Sequence, residues 1–408
     1  MHVLLHNTSF PPMVRSAARL YGDLAKDLSN RGYKVSVVTE FPRRRLSGSE
    51  SSIENESGNY SGLDGIKIIR VKGVPFPEDN LFVRGLNTIT LPIFFFLGTL
   101  RVKEPDIIIV YSPPLFIGFS SIFYSMFLNL PVVLNVQDIY PQTLINLGII
   151  KNNILIKYYK KIEKFIYGKV DRIVVHSKGN KKYLISNKLV NQNKIDVVHN
   201  WVNDFSNSQN NSDLVDMLNL NKEFLITYAG AMGYAQDLLP ILYAAKELKS
   251  FHDIRFLLVG EGVLKSKWEN IAIKFDLNNV SFFPLLEGSN YRTLIDVSNI
   301  GLVPLTEDLS TPVVPGKLLD YMIRGKPVIA TINFNSDVKN IIENANCGFV
   351  HSTNDINGLV NSILTIYNKP SVRNMMGKNG QQYAQKEFSK EACISEYETI
   401  IKDLAGKA

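Results

Sequence analysis

Cysteine is close to absent. Cys347 and Cys393 are the only two in 408 residues, too few for a disulfide framework, so a reducing compartment is expected. Metal-ligand patterns are missing too. The six histidines show no ligand spacing and no D-x-D sequence occurs, so neither a divalent metal nor any other cofactor is expected. Met1 leads directly into the strand-like Val3-Leu4-Leu5, so no secretory leader is expected. Long apolar runs are equally scarce. Residues 86–100 are apolar but short, contain Pro92 and lie between Arg84 and Arg101. Residues 107–137 carry no charge, yet Pro113-Pro114 and Pro131 cut them into what reads as strand, helix and strand within a core, not a membrane span of ~20 residues.

What is present is ordinary in bulk and uneven in detail. Hydrophobic content of 45% with 20% charged residues is that of a globular protein. A chain of 408 residues is too long for one core and suits two domains. The net charge of +7 is not shared equally: the first 200 residues hold 26 Lys and Arg against 15 Asp and Glu, the rest 19 against 23. Residues 151–194 alone carry 12 basic and 2 acidic side chains, so the two halves are expected to face different partners. No nucleic-acid motif accompanies the basic half, and nucleic acid is not expected as a partner.

Strands and helices alternate. Residues 3–5, 34–39, 66–71, 106–110, 132–136 and 172–176 read as strands, and Ala17, Leu20, Leu24 and Leu28 mark a helix that Gly32 stops. The second half repeats the scheme with strands at 225–229, 255–259, 280–283, 300–303 and 328–330. Residues 43–63 are polar and read as a mobile loop, and residues 203–213, rich in Asn and Ser, as the linker. The fold class predicted is α/β: two Rossmann-like, doubly wound parallel-sheet domains facing a central cleft, with ligands at the carboxyl ends of the strands.

The most informative stretch is residues 311–330, T-P-V-V-P-G-K-L-L-D-Y-M-I-R-G-K-P-V-I-A. After an apolar run ending at Leu305, Pro315-Gly316-Lys317-Leu318 opens a short helix, Asp320 sits on its first turn and Gly325 ends it. Free N–H groups at a helix start, with a glycine and a lysine, suit a phosphate. A carboxylate nearby suits sugar hydroxyls. Together they suit a nucleoside diphosphate.

With this stretch, P-P-M-V-R-S-A-A-R (11–19), Q-D-I-Y-P (137–141), H-N-W-V-N (199–203), Y-A-G-A-M-G-Y-A-Q-D-L (228–238) and V-G-E-G (259–262) appear in order. On these motifs the chain resembles glycosyltransferase family 4, the retaining enzymes of the GT-B fold, over nearly its whole length. Within that family it resembles the bacterial surface-polysaccharide branch that includes N-acetyl-fucosamine transferases. The resemblance implies an acceptor domain in residues 1–200 and a nucleotide-sugar domain in 201–388. It further implies that the last helix, within 389–408, crosses back to the first domain. The implied reaction moves a sugar from a nucleoside-diphosphate sugar, UDP-linked in expectation, to a lipid-linked (polyprenyl pyrophosphate) glycan with retention, in O-antigen or capsule assembly. A non-catalytic partner subunit of the same fold and a nucleotide-sugar epimerase are the alternatives.

The implied donor site comprises the turn of Gly230, Ala231, Met232 and Gly233, then Gln236, Gly260, Leu285, and Pro315, Gly316, Lys317, Leu318 and Asp320. Relatives carry two glutamates separated by seven residues; here Asp320 takes the second place and Pro312 the first. They also carry Arg and Lys where this chain has Ala231 and Gln236. The diphosphate then needs other cations, for which Lys317, Arg15 and Arg19 are the candidates. Arg15-Ser16 stand where relatives have two glycines, and Arg15 is expected to reach the diphosphate. Gln137 cannot act as a base, so Asp138 is expected to orient a sugar hydroxyl or the acceptor. His199 reads as a packing or hinge residue and Glu261 as structural. Lys157, Lys160, Lys161 and Lys164 recur at helical spacing and are expected to meet an anionic membrane. The resulting expectation is a cytoplasmic protein peripheral on the inner face of the cell membrane.

Overall fold

The computed structural model describes residues 1–13, 15–41, 63, 65–73, 81–187, 189–202, 223–286 and 288–406, with backbone only for 81–86. The polar stretch 43–62 and the linker expected at 203–213 lie outside them. The chain forms two compact units, Met1–Ile145 with Ile150–Asn200 and Glu391–Ala408, and Asn146–Ile149 with Trp201–Lys390.

The first unit is built on seven strands: β1 His2–His6, β2 Lys34–Glu40, β3 Lys67–Val71, β4 Ile107–Ser112, β5 Val132–Val136, β6 Arg172–Val175 and β7 Ile195–Val197. All pair in parallel in the order β3-β2-β1-β4-β5-β6-β7. Its helices are α1 Ser16–Asn30, α2 Leu81–Thr99, α3 Ile117–Leu128, α4 Gln142–Asn146, α5 Asn153–Lys169 and α6 Lys178–Ser186. Every residue of β1 and β5 is buried. Parallel strands covered on both faces require such unbroken runs of Val, Ile and Leu. On one face Leu4, Val110 and Leu134 pack with Phe95 of α2, Ile117 and Ile122 of α3 and Ile166 of α5. The charge-free run 107–137 is thus strand, helix and strand, as read from its prolines.

The second unit has six parallel strands: β8 Phe224–Ala229, β9 Ile254–Val259, β10 Val280–Phe283, β11 Ile300–Pro304, β12 Val328–Thr331 and β13 Gly348–His351, in the order β10-β9-β8-β11-β12-β13. Helices α7 Leu239–Glu247, α8 Lys265–Lys274, α9 Gly288–Val297, α10 Gly316–Ile323, α11 Asp337–Ala345, α12 Ile356–Asn368 and α13 Pro370–Glu387 cover it. Helix α14, Lys390–Ala405, returns to the first unit. There Arg31 pairs with Glu398 at 2.6 Å and the Tyr33 hydroxyl donates to the same carboxylate at 3.1 Å. Hydrogen bonds from Lys402 and Arg31 hold the Glu398 carboxyl down at about 2. Cys347 and Cys393 are free and buried, and burial pushes both thiols up to about 12.

Candidate functional site

The order of the second sheet places β9 on one side of β8 and β11 on the other. The chain reverses direction across the sheet there, so loops leaving β8 and β11 part and leave a crevice at the strand ends. The β8 loop is Gly230–Gly233; the β11 loop runs to Pro315, whose extended backbone (φ −69°, ψ 138°) starts α10. The two loops meet where the Thr306 N–H donates to the Ala235 carbonyl at 3.1 Å. Helix α10 opens without a side-chain cap, so its first-turn N–H groups have no intrahelical acceptor.

Lys317 is the centre of this crevice. Its Nζ is buried without a hydrogen-bond partner and lies 3.9 Å from the centroid of the Tyr228 ring. It also sits 3.1 Å from where a side chain on residue 230 would begin, and Gly230 has φ +148°. Burial pulls the ammonium down to about 7. A cation packed on an aromatic face beside the positive end of a helix, with no counter-charge among the described residues, is chemically suited to an anion. The Tyr228 hydroxyl donates to the Ala231 carbonyl and so fixes both the ring and the turn.

The neighbouring glycine loop supports this turn from below. The Gly230 N–H donates to the Val259 carbonyl at 2.9 Å, Met232 N–H to Glu261 at 2.8 Å, and Gly260 N–H to Phe283 at 3.0 Å, extending the parallel ladder past the strands. A Cβ on Gly260 would stand 1.8 Å from the Gly230 carbonyl oxygen. Glu261 pairs with Lys265 at 3.0 Å, a local structural bond.

Not every expected donor residue reaches the crevice. Met232 and Leu318 are fully buried in the hydrophobic core, so their side chains pack the unit. Gln236 folds back to accept from the Gly233 N–H at 3.2 Å and closes its own turn. Ala231 and Leu285 are exposed. Asp320 is the fifth residue of α10, one turn later than expected. Its Oδ2 accepts from the Tyr291 hydroxyl at 2.9 Å, a partner in α9 that no local sequence pattern announces.

In the first unit the reversal lies between β1 and β4. Asp138 follows β5, and burial raises its carboxyl to about 6. It lies close enough to Tyr111 and Tyr140 to add to the rise of both phenols. Gln137 and Asn200 exchange amide hydrogen bonds of 3.0 and 2.7 Å, and Gln137 also donates to Asn135 at 3.0 Å. Both the oxygen and the nitrogen of the Gln137 amide are therefore engaged. Arg15 is exposed at the start of α1, while one guanidinium nitrogen of Arg19 is buried without a partner. His199 Nδ1 bonds to the His176 carbonyl at 2.9 Å and Trp201 beside it is buried. All four lysines expected at a membrane are exposed on α5.

Two family models match the chain. Residues 17–204 match Glycosyltransferase Family 4 and residues 211–383 match Glycosyl transferases group 1. The chain belongs to the glycosyltransferases. This glycosyltransferase is 23% identical over 290 residues to WbjE of Pseudomonas aeruginosa, named as a glycosyltransferase, across 69% of this chain and 72% of that one. It is 23% identical over 363 residues to WcaI of Escherichia coli K12, named for colanic acid biosynthesis, across 84% and 86%. Among solved structures, HepE of Anabaena in complex with UDP-glucose superposes with a TM-score of 0.72 at 14% identity, over 99% of this chain and all of that one. The glycosyltransferase thus has the GT-B fold, with parallel sheets of seven and six strands.

Proposed function

We propose that the glycosyltransferase binds a UDP-sugar in the second unit, with the diphosphate against the start of α10, and passes the sugar with retention to a lipid-linked glycan of a surface polysaccharide. One observation carries this reading: the Lys317 ammonium is buried, unpartnered and set over Gly230 at a helix amino end. The cation that relatives place on the β8 loop is here supplied from α10, which speaks against a non-catalytic subunit. The neighbour HepE, crystallised with UDP-glucose, supports uracil as the base, and the name of WcaI supports polysaccharide assembly. The test is a melting-temperature panel with UDP, GDP, ADP and dTDP. UDP is expected to stabilise the protein most, since a ligand raises stability by binding only the folded state; equal responses to all four, or none, would remove the donor assignment.

In this reading Asp320 receives the ribose and Tyr291 holds its carboxylate in place. Tyr291→Phe is then expected to raise the donor KM about fivefold with little change in kcat, the cost of one lost hydrogen bond of about 1 kcal/mol. Steady-state kinetics against donor concentration check it. Asp138 accepts a hydroxyl proton or hydrogen bond of the bound sugars and must be ionised to do so. Asp138→Asn is expected to lower kcat about tenfold and to abolish the acid limb of the pH–rate profile near 6, where the wild-type carboxyl titrates. Anomer-resolved NMR of the product tests retention.

A further inference from the structure

Large apolar side chains are not exposed at random on this protein. Helices α2, α3 and α5 form one layer on the first sheet: Phe96 meets Tyr124 edge-on at 6.5 Å, Phe116 meets Tyr159 at 5.4 Å and Phe119 stacks on Phe165 at 5.6 Å. The outer surface of that layer should be polar. Instead Ile93 and Leu97 of α2 are exposed, as are Met126 and Phe127 of α3 at 71% and 73% and Ile154 of α5 at 77%. Of the 21 large hydrophobics exposed across the described residues, 12 lie on these three helices or within one residue of their ends. Exposed apolar surface this concentrated marks an interaction site.

Its charges say what the partner is. Lys157, Lys160, Lys161 and Lys164 are exposed on α5. The three helices contain a single carboxylate, Glu163, and it is turned inward at 4% exposure. A second copy of the chain docked face to face by a two-fold axis would set lysines against lysines with no acid to answer them. An anionic lipid bilayer answers both features, with headgroups for the lysines and acyl chains for the apolar residues. Among the described residues no helix is long and apolar enough to cross a membrane, so the layer lies on the surface.

We propose that the outer face of α2, α3 and α5 docks the protein onto an anionic lipid bilayer, with Met126 and Phe127 inserted below the headgroups and the α5 lysines on them. The lysine helix that the sequence singles out is thus one edge of a larger apolar wedge. This inference does not rest on the donor assignment, because its test needs neither sugar nor activity.

The full-length protein is floated with phosphatidylcholine vesicles, with and without phosphatidylglycerol. It is expected to float with the anionic vesicles only. The joint change of Lys157, Lys160, Lys161 and Lys164 to Gln should weaken that partition by ~10-fold or more, each headgroup-facing lysine being worth roughly fivefold. Met126→Ser with Phe127→Ser should weaken it by ~10-fold or more as well, since a buried CH₂ is worth roughly fourfold. Both sets of side chains are exposed, so the melting temperature should stay put. A Met126→Trp variant gives an independent readout, because Trp201 and Trp268 are each only 2% exposed; its emission should shift to the blue on adding anionic vesicles. Absence of flotation on anionic vesicles would overturn the proposal. So would flotation that the lysine variant loses and the serine pair keeps, which means adsorption by charge alone. A dimer that the serine pair dissociates, without flotation of the wild type, would show that a second copy occupies the face.

Discussion

Replacing Lys317 with methionine will lower kcat/KM by about 100-fold or more, a loss of ~2.7 kcal/mol of transition-state stabilisation, and will at the same time raise the melting temperature of the empty protein. Both effects have one cause. The ammonium is buried with no partner, so it stands at about 7 in the folded chain against an ordinary 10.5. Between those two values the unfolded chain holds the proton and the folded chain does not. Stability should therefore rise with pH from about 7 towards 10, and the full penalty should be present below 7. Methionine fills the same space without charge and removes a penalty on the order of 4 kcal/mol at neutral pH, a shift of about 3 °C or more.

The diphosphate reverses the balance. With phosphate oxygens beside it the amine takes up a proton, so donor binding is proton-linked. Measured with UDP-glucose, whose phosphodiester oxygens do not titrate near neutrality, affinity should fall as pH rises above 7. Calorimetry in buffers of different ionisation enthalpy should show proton uptake, and Lys317→Met should show none. The kcat/KM profile should be a bell, with an acid limb near 6 from Asp138 and an alkaline limb near 7 from Lys317. A methionine variant that keeps the alkaline limb would show that another group titrates there and would sink the assignment.

Alanine at Gly260 is expected to be severely destabilising. Its methyl group would stand 1.8 Å from the Gly230 carbonyl oxygen. Backbone on both sides leaves no flexible side chain to yield, so the two loops must separate. That breaks the bond from the Gly230 N–H to Val259 and the one from the Gly260 N–H to Phe283. The turn beneath Lys317 goes with them. A loss above ~3 kcal/mol is expected, the range reserved for backbone clashes and lost cores. Chemical denaturation measures it, and UDP should no longer raise the melting temperature of whatever folds. A variant with wild-type stability would mean that the loops do not meet as described.

Much of the fold could be read from patterns one strand long. Unbroken Val and Ile runs such as 107–110 and 132–136 are strands because both faces of a parallel sheet are covered. The same logic misses β7 and β13. β7 has three residues and β13 is half-exposed throughout, beginning at a glycine and ending at a histidine, so neither shows an apolar run. These edge strands are held by pairing with β6 and β12, which is not a local property. Residues 86–100 were legible as apolar and too short to span. That they leave a greasy outer face on α2 was not, since apolar residues on a buried and on an exposed face look the same in sequence.

The candidate site divides in the same way. Gly316, Lys317 and Asp320 were visible because a helix start, a cation and a carboxylate lie within five residues of each other. The chain by itself determined the α/β class, the two sheets and the phosphate-suited start of α10, because each depends on neighbours a few bonds apart. Only the tertiary structure decided that Lys317 has no counter-ion among the described residues, that Tyr291 holds Asp320, that Gln137 is tied to Asn200 and that Met232 belongs to the core. Those are matters of which distant groups share a low-dielectric space, and burial, which sets both charge state and hydrogen-bond demand, comes into being when the elements pack.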